Sequence, residues 1–231
     1  MVENKPLHKE FKNITPSDSW RVFRILSEFV DGFETLTDLG PSVTIFGSAR
    51  MTDDNPYYSV ATDVAEKIAS RGFSVITGGG PGVMEAANKG AQLAKGSSCG
   101  IGIDVPYESD LNRYVDPKHR LIFRYFFVRK VMFVRYAQAF VFLPGGFGTL
   151  DELFEVLTLI QTNKIMHVPI YLIGKEYWEK FGEWLKENPV AHGLVDAENL
   201  DLYTITDDLD EVAEGIEAHY NASTTTETLE F

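Results

Sequence analysis

Three times in this chain a short apolar run stops at a cluster of small residues and a helical pattern takes over, which confines the fold to alternating strands and helices. Residues 43–46 run into Gly47-Ser48-Ala49-Arg50, residues 73–77 into Gly78-Gly79-Gly80-Pro81-Gly82, and residues 139–143 into Pro144-Gly145-Gly146-Phe147-Gly148-Thr149. Residues 99–105 and 168–173 read as two further buried strands. Runs this short and continuous suit strands covered on both faces. Helical patterns are read at 56–70, after Gly82, at about 128–137, from Thr149 onward, at 176–187 and at 207–220. This alternation predicts an α/β fold: one doubly wound parallel sheet with helices on both faces.

A chain of 231 residues is long enough for one such domain and short for two. No repeat or linker divides it. Residues 1–40 are expected to form a helical extension: Thr15 and Pro16 start a helix to about Asp38, with Val22, Ile25, Leu26, Phe29, Val30 and Phe33 as its apolar stripe. Residues 41–220 are expected to form the single Rossmann-like α/β domain, and the Thr-rich residues 221–231, which lack periodicity, read as a disordered tail.

Composition removes several function classes. A net charge of -13 argues against nucleic acid as a partner, because phosphate backbones are held by clustered Lys and Arg. No apolar run approaches the roughly 18 residues of a membrane span, and the polar start lacks the apolar core of a signal peptide, so a cytoplasmic protein is expected. The five histidines are scattered without ligand spacing, giving no case for zinc, whereas isolated carboxylates would suffice for magnesium. No metal and no cofactor is expected. Cys99, the only cysteine, lies in a small-residue run and reads as a buried, inert thiol.

The turn after residues 139–143 is the most telling. Glycines there let a backbone approach a ligand closely, and the helix that follows points unpaired N–H groups and its positive dipole end at an anion. Thr149-x-x-Glu152 is also a capping box, which would satisfy the first helical N–H groups without any chemistry. Capping does not account for Gly145, Gly146 and Gly148 together, since extra glycines cost backbone entropy. Neither Gly78-x-Gly80 nor Gly47-x-Ala49 completes a dinucleotide fingerprint, and no Walker loop is present. A mononucleotide or sugar phosphate is therefore preferred over NAD or ATP. Arg129 and Lys130, in an otherwise apolar segment, are the local cations; they read equally as ligand-facing or as a solvated helix face. Glu85 and Glu108 read first as a dipole partner and a solvated carboxylate.

Taken together, the stretches 46–50, 77–88, Arg129-Lys130 and 144–152 resemble the Lonely Guy (LOG) family of cytokinin-activating nucleoside 5′-monophosphate phosphoribohydrolases. The likeness is strongest to its Rossmann-like bacterial relatives with the pattern PGGxGTxxE. The resemblance covers residues 43–207 and implies a Rossmann-like fold and hydrolysis of an N-glycosidic bond, giving free base and ribose 5-phosphate. It implies Arg129 and Glu152 as the catalytic pair. Ser48, Gly79, Gly80, Met84, Glu108, Lys130, Gly145, Gly146, Gly148, Thr149, Asp151 and Thr158 would line the site of a nucleoside monophosphate. It also implies a homodimer or larger homo-oligomer. A carboxylate there can stabilise or attack an oxocarbenium-like sugar, or activate water; both roles stay open for Glu152. Plant-type members carry Met-His-Glu-Arg-Lys where this chain has Phe126-Phe127-Val128-Arg129-Lys130, and Thr-Trp-x-Gln at Thr158-Leu159-Ile160-Gln161. These differences surround the base, so a prenylated adenine and a plain AMP-like base are both retained. The family has been labelled lysine decarboxylase-like, but no strand-and-lysine context for a pyridoxal phosphate Schiff base is found. A non-catalytic nucleotide carrier or sensor using the same cradle is the alternative function.

Overall fold

The structure, a computed structural model, describes residues 16–105 and 110–223. Its centre is one seven-stranded sheet, parallel throughout: β1 (Ser42–Phe46), β2 (Ser74–Thr77), β3 (Ser98–Ile103), β4 (Arg120–Phe123), β5 (Ala137–Phe142), β6 (Ile170–Ile173) and β7 (Thr204–Thr206). The helices are α1 (Pro16–Leu36), α2 (Pro56–Ser70), α3 (Val83–Leu93), α4 (Phe126–Arg135), α5 (Phe147–Gln161), α6 (Lys175–Leu185) and α7 (Leu209–Ala222). Among the described residues no helix is long and apolar enough to cross a membrane.

The strand order β4-β3-β2-β1-β5-β6-β7 means that the chain winds outward from β1 in one direction and then restarts at β5 in the other. In open parallel sheets ligands gather at such a reversal, beyond the carboxyl ends of the strands. Here that place lies between the loops that follow β1 and β5.

Side chains alternate across each strand, and the two faces bury separate cores. Phe46, Ile76, Ile101, Phe123, Phe140, Phe142 and Leu172 pack with Leu36, Met132, Phe133, Leu153 and Trp178 of the helices on one face. Val43, Ile45, Val75, Val141, Leu143 and Ile173 pack with Val64, Ile68, Val83, Ala87, Val212 and Ile216 on the other. The expected doubly wound α/β sheet is thus found. Side chains fix some helix starts: Asn55 accepts the Tyr57 N–H at 2.9 Å, and Asp208 accepts those of Asp210 and Glu211.

Three differences from the sequence reading have clear causes. The edge strands β4 and β7 were not anticipated, because an edge strand has one neighbour and need not be continuously apolar; β4 alternates exposed and buried residues. The last helix continues to Ala222, so residues 221 and 222 are helical, and 224–231 lie outside the described residues. The third difference, at the start of α5, concerns the site itself.

Candidate active site

Three loops meet above the β1/β5 reversal and are joined backbone to backbone. The Ser48 N–H donates to the Pro144 carbonyl, and the Val83 N–H to the Ser48 carbonyl, each at 3.1 Å. Ser48 is therefore the junction of all three loops, while its own hydroxyl accepts the Arg50 N–H.

Helix α5 begins at Phe147, two residues earlier than the pattern from Thr149 predicted. Gly146 occupies the N-cap and no side chain caps the helix, so the capping box read from Thr149-x-x-Glu152 does not form. Thr149 is already in the first turn, buried, with its side chain folded back against Gly145. The first helical N–H groups, which have no intrahelical partner, consequently face the crevice with the positive end of the dipole behind them. A Cβ built on Gly146 or Gly148 meets nothing within 4 Å. The Gly145 carbonyl is turned away, accepting the Tyr177 hydroxyl at 2.7 Å.

One turn into α5, Glu152 is 8% exposed. Burial is the main force pushing its carboxyl up to about 7, and the Asp151 charge adds to it; Arg129, Lys130 and a backbone N–H pull the other way. A carboxylate balanced near neutrality in a cleft is suited to proton transfer or to meeting a positive charge as it develops.

Arg129 reaches the site from α4. Its guanidinium lies over the Phe133 ring, 5.0 Å from the centroid, and against the loop after β2, since a Cβ on Gly78 would stand 2.6 Å from Nη2. Lys130, next in sequence, is turned to α5, bridging Asp151 at 2.9 Å and Glu155 at 3.2 Å. Burial lowers its ammonium pKa, but those two carboxylates outweigh it and hold the group above its ordinary value. Lys130 and Asp151 thus tie α4 to α5 beside Glu152.

Gly79 and Gly80 are buried, and the Met84 thioether packs against Gly78 and Gly80. The structure does not bring Thr158 to the cradle: it is exposed further along α5, its hydroxyl donating to the Phe154 carbonyl at 2.7 Å. Glu108 lies outside the described residues. Glu85 stands at the rim, 3.8 Å from Arg113. Cys99 is fully buried, which raises its thiol pKa far above the ordinary value. Among the described residues no three His, Cys, Asp or Glu side chains gather as for a metal ion.

Sequence reasoning missed two groups of supporting residues. Tyr177 carried no signal, being one of several aromatics in α6. Asn88 and Asn112, which hold the loop after β2, were also missed; Asn88 gave one clue, as an amide on the apolar face of α3 beside Ala87 and Ala91.

A family model described as "Possible lysine decarboxylase" matches residues 84–216. The chain is 24% identical over 185 residues to a cytokinin riboside 5′-monophosphate phosphoribohydrolase of Arabidopsis thaliana, spanning 77% of each protein. It is 28% identical over 185 residues to a pyrimidine/purine nucleotide 5′-monophosphate nucleosidase of Escherichia coli K12, spanning 75% of this chain and 39% of that enzyme. A solved Moco carrier protein of Chlamydomonas reinhardtii shares the fold at a TM-score of 0.54 and 21% identity, over 79% of this chain and 98% of that one.

Proposed function

The chain belongs to the family described as possible lysine decarboxylases, and within it we propose that this protein hydrolyses the N-glycosidic bond of a nucleoside 5′-monophosphate to free base and ribose 5-phosphate. The observation that carries this reading is a buried Glu152 one turn below an uncapped helix start whose glycines leave room for an anion. The names of the plant and bacterial relatives point to the same reaction.

The phosphate sits on the N–H groups at the start of α5, which places the ribose over Glu152. As the bond to the base breaks, C1′ gains positive charge, and the ionised Glu152 stabilises it, by direct attack or by taking a proton from water. Water supplies the hydroxyl that ends on C1′ and the proton that leaves with the base. Arg129 offsets negative charge on the phosphate or the departing base. The family description would suggest pyridoxal phosphate, but the residues do not fit it. A Schiff-base lysine must lose its proton, whereas Lys130 is held protonated between Asp151 and Glu155.

The active unit in this reading is a homodimer. Trp20, Phe23 and Val30 of α1 are 66%, 62% and 60% exposed, and Ile122, Phe126 and Phe127 on the adjoining β4 and α4 are 49%, 55% and 49% exposed. An apolar surface of this kind fits a second copy, and it ends beside Arg129.

The test is incubation of the purified chain with nucleoside monophosphates, including AMP and a prenylated AMP, with free base measured by chromatography. Release is expected from at least one of them and is expected to fall by about 10²-fold or more in Glu152→Gln and in Arg129→Ala. Nucleotide bound in a calorimeter without any release of base would sink the hydrolase reading in favour of a carrier or sensor.

A further inference from the structure

We infer that Asn112, seated on the fully buried Asn88, is a positioning residue that sets the glycine loop after β2 against Arg129. This inference rests on the hydrolase reading of the same site. The Asn112 side-chain amide shares its two N–H bonds among three acceptors, the Gly79 and Gly80 carbonyls, each at 3.1 Å, and Asn88 Oδ1 at 2.9 Å. Its backbone N–H donates to the Gly79 carbonyl as well, at 2.7 Å, and its Oδ1 accepts the Tyr114 N–H at 3.0 Å.

Asn88 supplies the foundation. It is 0% exposed, and every hydrogen-bonding site of its amide is used. Oδ1 accepts the Thr77 hydroxyl at 2.7 Å as well as Asn112, and Nδ2 donates to Ser98 Oγ at 2.9 Å and to the Cys99 carbonyl at 3.1 Å. The chain of contacts therefore runs from β2 and β3 through two amides to the loop. Thr77 closes it by accepting the Gly79 N–H at 2.9 Å.

The consequence for the site follows from peptide geometry. In a trans peptide the N–H and C=O point in opposite directions, so drawing the Gly79 carbonyl to Asn112 turns the Gly80 N–H to the other side. The same hold fixes the height of Gly78. Arg129 Nη2 lies against Gly78, and the guanidinium also lies over the Phe133 ring, 5.0 Å from its centroid. A shift of the loop at Gly78 therefore moves the surface on which the guanidinium rests. Misplacing a catalytic group by about 1 Å costs on the order of 10²-fold in rate.

Asn112→Ala and Asn112→Asp test this in the full chain. The aspartate keeps the size, the acceptor for Tyr114 and the backbone N–H on Gly79, but removes the side-chain donors to Gly79, Gly80 and Asn88. Both variants are expected to lose roughly 10- to 100-fold in kcat for base release from a nucleoside monophosphate, with KM changed less than about threefold. The acid limb of the kcat profile is expected to move to higher pH. Of the charged groups acting on Glu152, namely Arg129, Asp151 and Lys130, the arginine pulls its carboxyl down most. A simple loss of folded protein would lower the rate without moving that limb, and this result would overturn the inference. Wild-type kinetics in Asn112→Asp would overturn it too. Amide exchange of residues 78–82 gives a readout independent of turnover. If the wild-type chain releases no base, the hydrolase reading falls, and faster exchange in Asn112→Asp supports the loop-setting role while unchanged exchange rejects it.

Discussion

The loop after β2 and the loop after β5 are both rich in glycine, yet their glycines answer to different demands. After β2, Gly79 and Gly82 have φ of +70°, and a Cβ on Gly82 would strike the Ser48 carbonyl while one on Gly79 would strike Leu111. These glycines are required by the packing of the protein itself. After β5, Gly146 and Gly148 have ordinary φ and open space where a Cβ would go. Among the described residues no contact calls for glycine there, and the open space is where we propose that the anion sits. A cluster of glycines is therefore two different signals, and only the environment of each Cβ tells them apart.

The sharpest way to break this comparison is Gly82→Ala. A side chain at positive φ meeting a backbone carbonyl is expected to cost about 3 kcal/mol, lowering Tm by roughly 6–12 °C in a chain of this size. A Tm within a degree of the parent in a thermal melt would show that this loop is not held by packing.

Behind the second loop, Glu152 carries a comparable stability cost in the opposite sense. Its carboxyl is pushed up from 4.5 to about 7, so the protonated form suits the fold and the ionised form does not. Stability is intact below about 4.5 and is lost as pH rises through about 7, by about 3 kcal/mol in total. Glu152→Gln is expected to raise Tm at pH 8 while leaving it nearly unchanged at pH 4.5. Equal Tm shifts at both values would remove the buried charge as the cause. The same carboxyl places the rising limb of the kcat/KM profile, which reports the free enzyme, near pH 7 if the ionised form acts.

A smaller effect separates binding from folding. Gly148→Ala adds a Cβ inside the first turn of α5, where alanine is the better helix former by up to about 1 kcal/mol. Because a helical Cβ tilts toward the N-terminus, it enters the place we propose for the anion. We expect an unchanged or higher Tm together with nucleotide affinity weakened on the order of tenfold in calorimetry. Undiminished affinity would mean that this glycine is not kept for the ligand. The smallest effect is expected from Tyr177→Phe, which removes only the hydroxyl that holds the Gly145 carbonyl. A KM increase of about threefold, at constant kcat and Tm, is the result to look for in steady-state assays.

The five central strands were legible because both faces of each are covered and their sequences are continuously apolar. The edge strands were not, since β4 alternates and β7 spans only Thr204–Thr206. At the site, Gly145, Gly146 and Gly148 stood out as residues that a helix cap does not need, while Arg129 and Glu152, each also readable as a solvated or capping side chain, were singled out by the family resemblance. Thr149 reads both as a site residue and as part of a cap, because Thr-x-x-Glu is the same pattern whether the helix starts at position 149 or 147. Asn112 and Tyr177 could not be found this way, as their roles lie in contacts with residues 33 and 32 positions away.

By itself the sequence determined the alternation of strand and helix, and with it the placement of three glycine turns at the carboxyl ends of strands, because hydrophobic period and helix-start chemistry are local properties. Tertiary structure decided which glycines packing requires and which it leaves open, how Lys130 was placed between Asp151 and Glu155, and how far the Glu152 carboxyl rose. Those outcomes depend on burial and on charges brought together from distant parts of the chain, and neither exists until the sheet has formed.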